Sequence, residues 1–277
     1  MIEDKFNLAG KTALVVGGRG FLGRRLALAL HEAGARVYAA DIAEGSMAAQ
    51  KDNDLELPDV IGQLVVDVTQ EDSVREMVRL ASHESGQIDI LVYGATSKPK
   101  DFYKPFTECS LEGWQSVIRV ELDGLFLVTR EVGRSMEKTG SGSIILLSSI
   151  YGIVGNDQRI YEGSNLAHLY AGINQDKQER IFSHAVYPAA KGGVIALTRF
   201  LAAYWGEAGI RVNCVSPGGL AHPGENEEFV RRYSERVPLG RKADPDEISG
   251  AIVFLASSAA DYVTGHNLVI DGGWTAW

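Results

Sequence analysis

The chain has 277 residues, 45% of them hydrophobic and 23% charged, and its 27 basic and 36 acidic side chains leave a formal net charge of −9. That length fits one large α/β domain or two small ones, and the even scatter of patterns with no polar linker favours one. No Lys/Arg cluster offers a nucleic-acid surface, no run of about 18 apolar residues offers a membrane span, and the start Met1 to Phe6 lacks a signal peptide's apolar core.

In chain order the first strand signal covers 13–17, where aliphatic and β-branched residues run into Gly17. Gly17-Gly-Arg19-Gly20-Phe21-Leu22-Gly23 follows, then a helical pattern over 21–33 with apolar residues at Leu26, Leu30 and Ala33. Strand, glycine turn and helix together form a dinucleotide-binding fingerprint. Its glycines admit backbone to a pyrophosphate, and the helix N-terminus supplies amide hydrogens. The second strand, 37–41, ends in Asp41, about 20 residues past the loop, where an acid meets the adenosine ribose and repels a 2′-phosphate. Asp41 also suits a helix cap or turn, and Arg19 is placed either to meet a 2′-phosphate or to face solvent; position favours Asp41 and therefore NAD over NADP.

Further strands read at 62–66, 88–93, 143–147, 210–215 and 268–270, with helices over 71–84, 111–138, 187–207 and 245–257. Alternation of this kind predicts an α/β fold, a doubly wound parallel sheet of the Rossmann type in three layers. Ligands then bind at the carboxyl ends of the strands, at the topological switch. Cys109 and Cys214 are too few and too far apart for a disulfide framework and fit a reducing, cytoplasmic compartment. Neither reads as catalytic, and Cys214 lies in a strand pattern. His168 and His184 lack metal-ligand spacing with a third group, so no metal is expected.

Ser148-Ser149 precedes Tyr187-Pro-Ala-Ala-Lys191. Tyrosine and lysine four apart share a helix face. A free tyrosine, with a pKa of about 10, is a poor base near neutrality, and lowering it by about three units takes about 4 kcal/mol. A close ammonium and a cationic cofactor ring are suited to that task, while a serine hydroxyl holds the substrate oxygen. The spacing alone also fits an ordinary amphipathic helix; the glycine loop upstream decides for chemistry.

These residues resemble the short-chain dehydrogenase/reductase family over nearly the whole chain. Phe6 to Gly17 is similar to its opening strand, Asp67-Val68 to its adenine-contacting pair, and Ser149, Tyr187 and Lys191 to its catalytic set. Arg211 to Gly218 is similar to the strand and turn beside the nicotinamide, and Val263 to Gly273 to the last strand. The resemblance implies a single NAD(P)-binding domain over 1–277. It assigns dinucleotide contacts to Gly17, Arg19, Gly20, Phe21, Leu22, Gly23, Asp41, Asp67, Val68, Gly94, Ala95, Tyr187, Lys191, Pro217 and Gly218. Lys191 would hold the nicotinamide ribose. Gly192-Gly193, costly inside a helix, would serve close packing, and a homodimer or homotetramer is implied.

Four positions depart from the family. The glycines run G-x-x-G-x-x-G, the motif usually Asn-Asn-Ala-Gly reads Tyr93-Gly94-Ala95-Thr96, Glu121 stands for an asparagine, and His222 for a threonine that would hold the nicotinamide amide. Glu121 falls inside the apolar stripe of Trp114, Val117, Ile118, Leu122 and Leu125. There it is either paired near the active site, as a catalytic group facing Lys191, or at a stripe edge reaching solvent. Facing Lys191 it keeps the amine cationic; acting on Tyr187 it disfavours the phenolate.

The interval between Ser149 and Tyr187 carries an insertion of about 25 residues relative to the family, placed at 155–185 and expected on the substrate side. It holds Asp157, Arg159, Tyr161, Glu162, Asn165, His168, Arg180 and His184. Polar groups among tyrosines suit a hydroxyl-rich ligand, and they equally suit a solvated hairpin or a subunit contact. The stretch from Ser149 to Gly163 resembles reductases of bacterial surface-carbohydrate pathways. The expectation is an NAD-dependent oxidoreductase interconverting a secondary alcohol and a ketone, on a small-molecule substrate that includes sugars or nucleotide sugars. An NAD-retaining epimerase or dehydratase, or a non-catalytic dinucleotide-binding regulator or scaffold, remain alternatives.

Overall fold

Strand β1 (Thr12–Val16) is buried at every position, as a central parallel strand covered on both faces must be. The computed structural model describes residues 1–42, 56–58, 60–83, 86–171 and 180–277. With β2 (Arg36–Asp41), β3 (Gly62–Val65), β4 (Ile90–Tyr93), β5 (Gly142–Leu147), β6 (Ile210–Pro217) and β7 (Asn267–Ile270), β1 builds a seven-stranded sheet in the order β3-β2-β1-β4-β5-β6-β7. Every pairing is parallel; Leu14 lies opposite Tyr38 on β2 and Leu91 on β4.

The two-residue period of the strands divides the core. Leu14, Val16, Leu91, Tyr93, Ile144 and Leu146 point to one face, where they meet α2 (Glu71–His83), α4 (Gly124–Thr139) and α6 (Val186–Trp205). Ala13, Val15, Ile90, Val92 and Ile145 point to the other, against α1 (Phe21–Glu32) and α8 (Ser249–Ala256). This is the expected three-layer, doubly wound Rossmann-type arrangement. Strand order reverses between β1 and β4, which opens a crevice at their carboxyl ends.

The helix expected over 111–138 is not continuous. It is α3 (Leu111–Ile118), a π turn at Arg119–Asp123, and then α4. Tyr93, at the end of β4, donates its hydroxyl to the carbonyl of Val120 inside that turn. A π turn's wider ring frees a carbonyl for an outside partner. Gly124 lets the helix pass: an added Cβ would lie 2.8 Å from the Tyr93 hydroxyl and 2.8 Å from Val68. The pattern at 245–257 begins as a 3-10 turn (Pro245–Ile248) under an Asp244 capping box before α8.

Two helices had no counterpart in the sequence reading. They are α5 (Leu166–Ala171) inside the insertion and α7 (Glu227–Ser234) after β6. The proposed helix end at 84 and the middle of the insertion, 172–179, lie outside the described residues. Gly193 does pack closely, against Leu122 of the π turn, with an added Cβ 3.0 Å away.

Candidate active site

A cavity of about 880 Å³ occupies the carboxyl end of the sheet. Its wall contains Gly17, Gly20, Phe21, Leu22, Gly23, Asp41, Asp67, Val68, Gly94, Ala95, Ser149, Tyr187, Lys191, Pro217 and Gly218. Two expected site residues, Arg19 and Glu121, do not line it; both act from behind the wall.

The glycine loop is shaped for an anion. Gly17 has φ +80°, and a Cβ there would lie 2.8 Å from the Gly94 carbonyl carbon. A Cβ on Gly23 would lie 2.0 Å from the Gly17 carbonyl oxygen, so helix–strand packing demands glycine at both positions. Gly20 is different: a Cβ would meet only the Gly17 oxygen, at 3.3 Å, so the fold tolerates a side chain that the cavity would not. Gly20 is the N-cap of α1 and no side chain caps that helix, which leaves its first-turn amides pointing at the cavity. An open glycine and an uncapped helix N-terminus fit a pyrophosphate.

Asp41 lines the far end of the same cavity. Its Oδ2 accepts from the Arg19 amide at 3.0 Å and its Oδ1 from the Ile42 amide at 2.9 Å. Each carboxylate oxygen keeps a second lone pair for a ribose hydroxyl. Arg19 is half-buried, and its guanidinium folds over the end of β2 to donate to the Ile42 carbonyl. Asp67 turns its carboxylate back onto Thr69, accepting from the amide at 2.9 Å and the hydroxyl at 2.7 Å. His222 rests its ring against Phe21 of the glycine loop, centroids 4.7 Å apart.

At the other end Ser149 follows β5 and caps the 3-10 turn Ile150–Gly152, accepting from the Tyr151 amide at 3.2 Å. This loop is seated on α6: the Ser148 hydroxyl donates to the Lys191 carbonyl at 2.9 Å, and a Cβ on Gly152 would lie 2.7 Å from that carbonyl group. Lys191 is buried, with Nζ donating to the Leu147 carbonyl at 3.1 Å and lying 5.5 Å from the centroid of the Tyr187 ring. Glu121, 1% exposed, is carried to Lys191 by the π turn, Oε2 to Nζ 3.1 Å. That oxygen has no well-aligned donor; the contact is a charge pair, for which distance matters more than angle. The Thr96 hydroxyl donates to the other oxygen, Oε1.

These charges set the protonation of the pair. Burial lowers Lys191, but the Glu121 carboxylate and Tyr187 outweigh it and raise the amine above its ordinary value. Tyr187 is also raised: burial pushes it up, Lys191 pulls it down, Glu121 pushes it up, and the Ser149 hydroxyl pulls it down. In the protein alone, therefore, the ammonium does not win, contrary to the simple expectation of a lowered tyrosine.

Several wall residues escaped the sequence reading. Lys98, from the loop after β4, is half-buried and pushed down to about 8, by burial first, with Glu121 raising and Lys191 lowering it. Tyr151 stands edge-on to Tyr187, centroids 6.5 Å apart, and takes a hydroxyl contact from Tyr161 of the insertion at 3.2 Å. Lys242 and Glu225 form an ion pair with side chains 5% and 3% exposed, Lys242 lying 4.9 Å from the Phe229 centroid. The one local signal was α7's cap: Asn226 before Glu227-Glu228, with Phe229 and Tyr233 four apart.

The insertion is tied to α7. Asn165 donates to the Gly224 carbonyl at 2.7 Å and accepts from the Asn226 amide at 3.0 Å, and Asn226 donates to the Gly163 carbonyl at 2.7 Å. Arg232 reaches Glu162 and Arg236 reaches Asp157. Tyr161 and Leu166 line the cavity, whereas His168, Arg159 and Arg180 are exposed. His184 is buried, stacked on Phe102 at 5.5 Å, with Nδ1 accepting from the Val186 amide. Among the described residues no helix is long and apolar enough to cross a membrane, and no cluster of side chains is arranged to hold a metal ion.

A family model described as short chain dehydrogenase matches residues 11–167, and one described as Enoyl-(Acyl carrier protein) reductase matches residues 174–275. The chain is 35% identical over 284 residues to a D-threitol dehydrogenase of Mycolicibacterium smegmatis, covering 99% of this chain and 96% of that one. A solved short chain dehydrogenase from Leptospira borgpetersenii with bound NAD+ has a TM-score of 0.81 at 31% identity, covering 99% of this chain and 96% of that chain. A gluconate 5-dehydrogenase from Burkholderia cenocepacia, in complex with NADP and tartrate, has a TM-score of 0.80 at 30% identity and covers 100% of both chains.

Proposed function

The chain belongs to the short-chain dehydrogenase/reductase family, and from that premise we propose that it is an NAD-dependent enzyme interconverting a secondary alcohol and a ketone on a polyhydroxylated, carbohydrate-like substrate. The observation that carries the reading is the convergence of Ser149, Tyr187 and Lys191 at one end of a cavity whose other end is the glycine loop.

The glycine loop, Asp41, Asp67, Val68, Gly94, Ala95, Pro217 and Gly218 would hold a nicotinamide dinucleotide, which would supply hydride uptake and return at the substrate carbon. Tyr187 takes the proton of the substrate hydroxyl in oxidation and returns it to the carbonyl oxygen in reduction. Ser149 donates a hydrogen bond to that oxygen and fixes its distance to the phenol. Lys191 stabilises the phenolate, and Glu121 keeps Lys191 charged at 3.1 Å. The Tyr151 and Tyr161 hydroxyls on the insertion side, together with relatives named for threitol and gluconate, support a hydroxyl-rich substrate.

Preference for NAD rests on Asp41 at the ribose end, where a 2′-phosphate would meet a carboxylate. Phe200 and Tyr204, stacked at 6.1 Å on α6 and 62% and 64% exposed, support a homodimer or homotetramer formed through that helix face. The test is reduced-nicotinamide absorbance with NAD+ and NADP+ over a panel of polyols and sugars. NADH formation with tighter NAD+ binding is expected, and Asp41→Ala should narrow the cofactor preference. Tighter NADP+ binding would mean that Arg19 governs. Conversion without net NADH would make the protein an epimerase or dehydratase, and binding without conversion a scaffold.

A further inference from the structure

We propose that Tyr151 is a specificity-determining residue: its phenol donates a hydrogen bond to the hydroxyl on the carbon next to the reacting one, held for that task by Tyr161 of the insertion. This deepens the proposed function and rests on it. The substrate class it selects is the vicinal diol, oxidised to an α-hydroxyketone.

Ser149 caps the 3-10 turn that carries Tyr151, and its hydroxyl accepts from the Tyr151 amide at 3.2 Å. That bond occupies the Ser149 oxygen and leaves its hydrogen for the reacting substrate oxygen. The same short turn sets Tyr151 beside it. Both side chains line the cavity, and the Tyr151 ring stands edge-on to Tyr187 with centroids 6.5 Å apart. With the reacting oxygen held between Ser149 and Tyr187, the oxygen on the next carbon is the one that Tyr151 meets. One C–H and one O–H bond then break at the reacting carbon. The hydride goes to the dinucleotide, the proton goes to Tyr187, and a C=O bond forms, while the hydroxyl on Tyr151 is unchanged.

The insertion fixes which way Tyr151 gives its hydrogen. Asn156 donates its side-chain amide to the Ser183 hydroxyl. Both of these side chains bond the phenol of Tyr161, which is 7% exposed. Gln158, on the same 3-10 turn as Tyr161, clamps the Ser183 backbone: Oε1 accepts from the amide at 2.8 Å and Nε2 donates to the carbonyl at 3.4 Å. Tyr161 in turn donates to the Tyr151 hydroxyl at 3.2 Å. An amide nitrogen only donates and a phenol has one hydrogen, so the chain runs one way and ends in the Tyr151 hydrogen at the cavity. A substrate oxygen there completes the chain. A simple alcohol presents carbon instead and leaves a partly desolvated donor unmatched.

The experiment compares 2,3-butanediol, 1,3-butanediol and 2-butanol, which differ in the presence and place of a second hydroxyl. For the native chain, Tyr151→Phe and Tyr161→Phe, kcat/KM is measured by NADH formation and binding to the protein–NADH complex by titration calorimetry. The native chain should favour 2,3-butanediol over both other alcohols by about fivefold or more. Tyr151→Phe should bring that ratio close to one and Tyr161→Phe should lower it part-way, with NADH still bound. A native ratio near one, a 1,3-diol equal to the 2,3-diol, or the native ratio kept in either variant overturns the inference. Diol-selective binding that Tyr151→Phe abolishes, without NADH formation from any alcohol, would overturn the proposed oxidoreduction and leave the Tyr151 site standing.

Discussion

Lys191 is held as a cation by a carboxylate, and what that does to Tyr187 depends on ranking three effects. Burial pushes the phenol up, the ammonium pulls it down, and Glu121 pushes it up by less than the ammonium pulls. Remove the carboxylate and Lys191 keeps its burial, the largest influence on it, while losing its principal support. Its pKa then falls, and in the alkaline range it no longer stabilises the phenolate. Glu121→Gln should therefore move the basic-side rise of kcat/KM for alcohol oxidation to higher pH. An unchanged or lowered profile would show that the direct push of Glu121 on Tyr187 governs, or that Glu121 takes no part.

At the scale of the element, two departures from the family pattern are one feature. Tyr93 bonds the Val120 carbonyl, and that bond belongs to the π turn that delivers Glu121 to Lys191. Tyr93→Phe would remove this hydrogen bond from a half-buried carbonyl, a loss of about 1 kcal/mol in chemical denaturation. It should also move the pH profile in the direction of Glu121→Gln. A destabilised enzyme with a native pH profile would separate the two residues. The insertion is tied to α7 through Asn165, which bonds both Gly224 and Asn226. Asn165→Ala should raise KM for the alcohol several-fold, through loss of two hydrogen bonds of about 1 kcal/mol each, with Kd for NAD+ changed by less than about twofold. Parallel loss of both affinities would make the insertion a support for the whole cavity.

Across the whole molecule, the sheet was legible because its signals are local. Each strand is a short apolar run, the glycines of the loop fall within seven residues, and Tyr187 and Lys191 stand four apart. The π turn was not legible, since it depends on a phenol 27 residues away in sequence. Lys98 was missed because a loop lysine ordinarily reads as solvated, and only the fold places it in the cavity wall. The burial that raises Tyr187 is likewise a property of the assembled cavity. The central claim is that Tyr187 moves the proton while a bound dinucleotide takes the hydride. Its most direct test is NADH formation by the native chain and by Tyr187→Phe, with the substrate that turns over best and NAD+ saturating. Net NADH is expected from the native protein and a kcat lower by roughly two to four orders of magnitude in the variant, with NAD+ still bound. Native turnover in Tyr187→Phe would contradict it.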